Sequence, residues 1–165
     1  MSDFAPGSAD TARAFRDALG RFATGVTIVT CESDNGPLGI TANSFASVSL
    51  DPPLVLWSPA KASRRFPPFR DAPRFAIHIL GSEQRGVCGH FAQQGHDFDG
   101  LDWSQSAEGV PLLDGCLARF ECKTHAQHDG GDHLIIVGEV ERARFRDGEP
   151  LLFAHGGYGR FTNAE

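Results

Sequence analysis

The chain has 165 residues and a mass of 17.8 kDa, with 41% hydrophobic and 22% charged residues, which fits one globular domain and excludes a largely disordered chain. A net charge of −6 and the lack of any basic block exclude a nucleic-acid partner held through phosphate contacts. The longest apolar runs, Leu54–Trp57 and Leu134–Val137, fall far short of the ~20 residues of a membrane span, and the four cysteines, at 31, 88, 116 and 122, form no Cys-x-x-Cys pair.

Residues 1–10 read as a flexible tail, with no cationic start and no apolar stretch to make a signal peptide, and 11–165 as one domain. The cysteines read as reduced, mostly buried thiols of a cytoplasmic protein. Asp10 or Thr11 can cap a helix over roughly 11–24, where Phe15, Leu19 and Phe22 make one apolar stripe at i, i+4 and i+7. Gly25 ends it, and the period changes. Val26–Cys31 is a β-branched run closed by Asp34-Asn35-Gly36-Pro37, so a hairpin to Leu38–Ser44 is expected. Two short strands follow at Phe45–Leu50 and Leu54–Ser58, split by Asp51-Pro52-Pro53, and then a short helical or irregular piece around 62–70. Arg74–Leu80 alternates, with Phe75, Ile77 and Ile79 on one face and Ala76, His78 and Leu80 on the other. The spacing predicts a helix over 82–94 with Glu83 in its first turn, and a Gly/Asp-rich loop over 95–115. Leu117–Ala126 reads as a half-exposed strand, His133–Phe145 as a strand whose start is buried on both faces, and 150–161 as a Gly- and aromatic-rich tail.

Six or seven short strands, few helices and no βαβ alternation predict a mostly β fold, an antiparallel barrel with short helical crossovers. No phosphate loop, dinucleotide fingerprint, H-E-x-x-H or G-x-S-x-G is present. His125 and His128 read as a solvated turn rather than as ligands, and no metal site is expected. His78, on an apolar strand face, reads as a hydrogen-bonded core histidine.

Two segments carry chemistry. Thr41-Ala-Asn-Ser-Phe-Ala-Ser-Val-Ser49 is rich in hydroxyls and amides, though it lies between two β-runs. Small polar side chains of this kind let a flat ligand approach the backbone, and equally suit an edge strand facing water. Ser58-Pro-Ala-Lys-Ala-Ser-Arg-Arg65 is the one local basic cluster of an acidic chain. It is read either as a phosphate holder or as an ordinary solvated helix start.

The order F-R-x-A-x-x-x-F-A-T-G-V-T-I-V-T, G-I-T-A-N-S-F-x-S-V-S-L-x-P-P-L-V, K-x-S, R-F-A-I-x-I-L, F-x-G-L-x-W, G-D-H-x-I-I-x-G-E-V and G-x-Y-G-R-F, from Phe15 to Phe161, resembles the short-chain flavin reductase family. These are reductase components of two-component flavin-dependent monooxygenases. The resemblance implies a split β-barrel that binds FMN or FAD, a homodimer with flavin sites at the interface, and NADH or NADPH as co-substrate. By position, Asn43, Ser44, Ser47, Val48 and Ser49 look like the wall against the flavin ring, and Ser58, Lys61, Ala62 and Ser63 like the phosphate site. Gly131, Asp132 and His133 look like the family's Gly-Asp-His motif beside the nicotinamide, with His133 positioning it. Phe91 and Tyr158 look like flanking residues. Ala62 and Arg65 stand where the family often has Ser and Thr, and His78 stands where Asn is common.

The implied reaction is hydride transfer from NAD(P)H to flavin, with reduced flavin passed by diffusion to a monooxygenase. Two other readings stand beside it. One is a split-barrel flavoenzyme that oxidises its own small substrate. The other is a non-catalytic flavin-binding electron carrier, against which the Gly-Asp-His motif argues.

Overall fold

A computed structural model describes residues 3–163. The outermost residues of the expected tail (1–2) and of the expected domain (164–165) lie outside them.

Helix α1 spans Ala9–Leu19. Its cap is Ser8, whose extended backbone donates an N–H to Thr11 Oγ1 at 3.3 Å, so the helix starts before the predicted caps Asp10 and Thr11. It ends at Gly20, short of residue 24, because Thr24–Gly25 is taken up as strand β1. Its apolar stripe does not face the core: Phe15 and Leu19 are exposed, and no residue of the helix is buried.

The hairpin β2 (Thr27–Ser33) and β3 (Gly36–Ala42) forms as the turn residues predict, with Gly36 at φ +89°, a left-handed value that suits glycine. Strands β4 (Ala46–Leu50) and β5 (Pro53–Trp57) make a second hairpin, with a bulge at Val48. Helix α2 (Phe66–Asp71) leads to β6 (Arg74–Ile79). The predicted helix over 82–94 splits into a 3-10 turn at Ser82–Gln84 and helix α3 (Arg85–Gln93). The predicted loop over 95–115 contains a small hairpin, β7 (Trp103–Gln105) with β8 (Pro111–Leu113). Strands β9 (Ala118–Gly130) and β10 (His133–Phe145) are the longest, and the tail folds into β11 (Leu151–Ala154) and β12 (Gly157–Arg160). His125 and His128 thus sit on strand β9 and not on a turn, which lies later, around Gly131 at φ +76°. Among the described residues there are twelve strands rather than six or seven, the extra ones being two- to four-residue pieces too short to carry a period.

Seven strands form one antiparallel sheet in the order β3-β2-β6-β9-β10-β5-β4, which leaves β3 and β4 at its edges. A second sheet joins β1, β11 and β12. One core, with Val29, Leu38, Trp57, Phe69, Phe75 and Ile136, lies on one side of the large sheet and is closed by α2 through Phe69. The other, with Val26, Ile28, Leu80, Phe91, Phe98 and Leu151, lies under α3 and the C-terminal hairpin. Strand β2 serves both: Ile28 faces one core and Val29 the other, so the run Val26–Cys31 is buried without alternation, its two threonine hydroxyls bonded to the Ala42 and Pro111 carbonyls. His78 is fully buried, with Nδ1 3.0 Å from the Ile28 carbonyl and Nε2 accepting the Leu113 N–H at 3.0 Å. Cys31, Cys88 and Cys122 are buried and all four cysteines are free; burial pushes the Cys31 and Cys122 thiols up to about 12. Among the described residues no helix is long and apolar enough to cross a membrane, and no three His, Cys, Asp or Glu side chains gather as a metal site.

Candidate active site

The chemistry-bearing segments meet at one end of the sheet, where β4 begins, β5 ends and β10 begins. Ser44 lies in the connection between β3 and β4. Its Oγ accepts the Ser58 N–H at 2.9 Å and donates to the Ser58 carbonyl at 3.2 Å. This staple ties the polar segment 41–49 to the basic segment 58–65. Asn43, exposed, donates from Nδ2 to Thr24 Oγ1 at 3.3 Å. Ser47 and Val48 are exposed and Ser49 is half-buried on edge strand β4, whose bulge turns Val48 out of the regular pairing.

The loop after β5 runs beside the start of β10 almost as an added strand. The Leu134 N–H donates to the Pro59 carbonyl at 3.1 Å, and the Lys61 N–H to the Asp132 carbonyl at 2.9 Å, with a bridge between Ala60 and His133. Lys61 Nζ closes the junction: it donates to the Asp129 carboxylate and, at 2.7 Å, to the Gly131 carbonyl. The hydrogen bond from Lys61 holds the Asp129 carboxyl below the usual carboxylate range. Residues 68 apart in sequence are thereby locked together: Pro59, Ala60 and Lys61 stand against Gly131, Asp132, His133 and Leu134, while Ser58 bonds Ser44 and the Ser63 hydroxyl accepts the Arg65 N–H. Asp129 has no signal in the sequence beyond its place in a polar hairpin; only the long-range pairing singles it out.

His133 Nδ1 lies 2.7 Å from Asp132 Oδ1. The bonded Asp132 carboxyl is held below its usual range, so it is an ionised acceptor and Nδ1 carries the proton. Nε2 is then an acceptor when the ring is neutral. The His133 side chain remains 44% accessible, so a ligand can reach it.

Two predicted residues stand apart from this junction. Tyr158 lines a cavity of about 150 Å³ with Val26, Thr41, Asn43 and Phe153, so it shares a wall with Asn43. Its hydroxyl receives a hydrogen bond from Cys88 Sγ at 3.2 Å, and the Arg85 guanidinium lies 5.2 Å over its ring. Phe91 is fully buried in the second core, edge-on to Phe98 with ring centroids 5.0 Å apart, and packs against Gly39. It lines neither cavity beside the polar segment, because α3 turns this face of its helix into the core.

A groove of about 690 Å³ opens beside Ser63 and is lined by Thr41, Arg64, Arg65, Gln93 and His96 among others, with no carboxylate in its wall. Hydroxyls, amides and guanidinium groups without acidic neighbours suit a flat ligand that bears phosphate.

Residues 19–162 match the model of the flavin reductase like domain. The chain belongs to this flavin reductase family. It is 58% identical over 159 residues to "FMN reductase (NADH) SmoA" of Agrobacterium fabrum, covering 96% of this chain and 91% of that one. It is 43% identical over 148 residues to "Flavin-dependent monooxygenase, reductase subunit HsaB" of Rhodococcus jostii, covering 88% and 76%. Among solved structures, an NADH:FAD oxidoreductase of Streptomyces globisporus in complex with NAD and FAD fragments superposes with a TM-score of 0.86 at 40% identity, covering 96% of this chain and 98% of that one. The mostly β, split-barrel architecture predicted from the strand pattern and the resemblance is the fold of this family.

Proposed function

We propose that the chain reduces free FMN or FAD with NADH and supplies reduced flavin to a separate monooxygenase. The observation that carries this reading is the junction itself: the hydroxyl-rich segment, the basic loop and the Gly-Asp-His hairpin converge through Ser44–Ser58 and Lys61–Asp129. Relatives named as an NADH-dependent FMN reductase and a monooxygenase reductase subunit support it.

Bound flavin supplies the hydride-accepting ring. The chain's residues bind and orient. Ser47 and Ser49 offer hydroxyl donors along the bulged edge strand, which suit the edge of a flavin ring where negative charge gathers on reduction. Ser63 and the groove beside it hold the phosphate end. His133, its tautomer set by Asp132, presents Nε2 to the carboxamide of a nicotinamide and positions it. No residue needs to give or take a proton in the hydride step, so His133 is a positioning group.

A second copy of the chain completes the assembly. Phe15 and Leu19 face outward from α1 and Phe22, just beyond it, is exposed, as are Val48 and Leu50 along edge strand β4 beside the site, Leu50 at 97%. Large apolar residues left open in this way suit an interface. The four free thiols suit a reducing, cytoplasmic location.

The test is anaerobic. Purified protein is mixed with FMN in large excess and then NADH, and the flavin absorbance band is followed. Bleaching over many equivalents is expected. Bound flavin that neither NADH nor NADPH bleaches would overturn the reading in favour of an oxidase or an electron carrier.

A further inference from the structure

The phosphate of a bound flavin needs positive charge, and Lys61, the cation that the basic loop offers first, is already committed. Its Nζ is shared between the Asp129 carboxylate and the Gly131 carbonyl. Its charge is paired with an acidic neighbour, and two of its three protons are given to the hairpin.

Arg65 is built in the opposite way. Its side chain folds inward over Gly95, where an added Cβ would come within 2.7 Å of the guanidinium Nε and 2.9 Å of Leu38. Nη1 donates to the Phe91 carbonyl at 2.5 Å and to the Gly39 carbonyl at 3.3 Å. Among the described residues no carboxylate lies within 4 Å of it. Burial lowers its pKa, the mark of a charge partly stripped of water without a counter-ion. The fold therefore keeps an uncompensated guanidinium at the wall of a carboxylate-free groove, in a chain of net charge −6. Arg64 lines the same groove and is exposed, and among the described residues it too has no carboxylate within 4 Å. The Arg65 backbone N–H donates to Ser63 Oγ at 3.2 Å, which leaves the Ser63 hydroxyl proton to donate outward. A phosphate set between them would meet a hydroxyl donor and two guanidinium groups, whose planar geometry matches phosphate oxygens.

We infer that Arg65, assisted by Arg64, is the residue that makes this protein prefer phosphorylated flavins over riboflavin, and that Lys61 acts only as the latch of the hairpin. This rests on the flavin reading above. It moves the phosphate contact from the position that the family resemblance implies to one where this chain departs from the family pattern.

The test measures dissociation constants for FMN and for riboflavin, with the full chain, by quenching of flavin fluorescence. Riboflavin carries the same ring and ribityl chain without the phosphate. Arg65→Met is expected to weaken FMN by about 10- to 100-fold, the range of one charge-assisted contact, and riboflavin by less than about threefold. Lys61→Met is expected to move both ligands by the same factor. A parallel series on the wild-type chain raises the salt concentration: FMN affinity should fall while riboflavin affinity holds, and Arg64→Gln, at an exposed position, should flatten that fall. This arm decides the matter if Arg65→Met does not fold.

Equal weakening of both flavins by Arg65→Met would make Arg65 a clasp between β3 and α3 and nothing more. Loss of FMN preference in Lys61→Met alone would return the phosphate to Lys61. Either result overturns the inference and leaves the flavin reading standing. A wild-type chain that binds neither flavin would overturn both.

Discussion

His78 holds two backbone groups together in the core, and it does so only as a neutral ring. Burial, opposed by its bond to the Ile28 carbonyl, brings its pKa from 6.5 down to about 4. In the unfolded chain the ring protonates near 6.5; in the folded chain it resists until about 4. The unfolded state therefore binds the extra proton between these values, and stability is complete above about pH 6.5 and falls as pH drops toward 4. The shift corresponds to a loss on the order of 3 kcal/mol across that window. Urea midpoints from roughly pH 7 to roughly pH 4.5 should fall steeply for the wild type and more gently for His78→Gln; parallel slopes would rule His78 out as the cause. The sequence makes this residue legible, because a lone histidine on an alternating apolar strand has no solvent to face. Lys61 is not legible in the same way. Local composition marks it as a phosphate ligand, while its partner Asp129 lies 68 residues on and is brought near only by the register of β9 and β10. Phe91 misleads for a related reason: its aromatic character is visible, but the face of α3 that carries it is set by the packing of Gly39 against its ring.

Among the elements, β10 does the most to place the site, and a glycine fixes its path. A Cβ at Gly138 would stand 2.6 Å from Phe75 Cζ and 2.9 Å from Cys122 Cβ, inside the first core. Gly138→Ala should destabilise the fold by about 1–3 kcal/mol, the usual range for overpacking a filled core. Chemical denaturation checks this, and an unchanged midpoint would show that the strand has room to move. The long strands were legible because their alternation or doubly apolar runs persist for many residues, and β10 spans His133–Phe145 as its pattern predicts. The pieces β7, β8, β11 and β12 were not. They are three or four residues long, too short to show a period of their own, and are held by their pairing partners. Helix α1 is an intermediate case. Its stripe gives the helix correctly but not the direction it faces, since periodicity tells which residues share a face and not what covers it.

For the whole molecule, that outward stripe and the exposed edge of β4 argue for a second copy. Sedimentation or light scattering should give twice the 17.8 kDa of one chain, and Leu50→Asp should shift the mass toward one chain. A wild-type mass of one chain at micromolar concentration would end the dimer proposal. The family-level fold was legible from motif order because seven weak motifs in register constrain one another. The junction that assembles the site was not, since it depends on contacts between segments far apart in the chain. The most direct measurement is therefore made at that junction: anaerobic, NADH-driven bleaching of excess FMN by wild type and by His133→Ala. The wild type should turn over many equivalents of FMN. The variant should show an apparent KM for NADH raised about tenfold, as for a lost hydrogen bond, with FMN affinity unchanged. A variant with the wild-type KM and kcat would contradict the placement of the nicotinamide at His133, and a wild type that bleaches no FMN would contradict the proposed reduction of flavin by NADH itself.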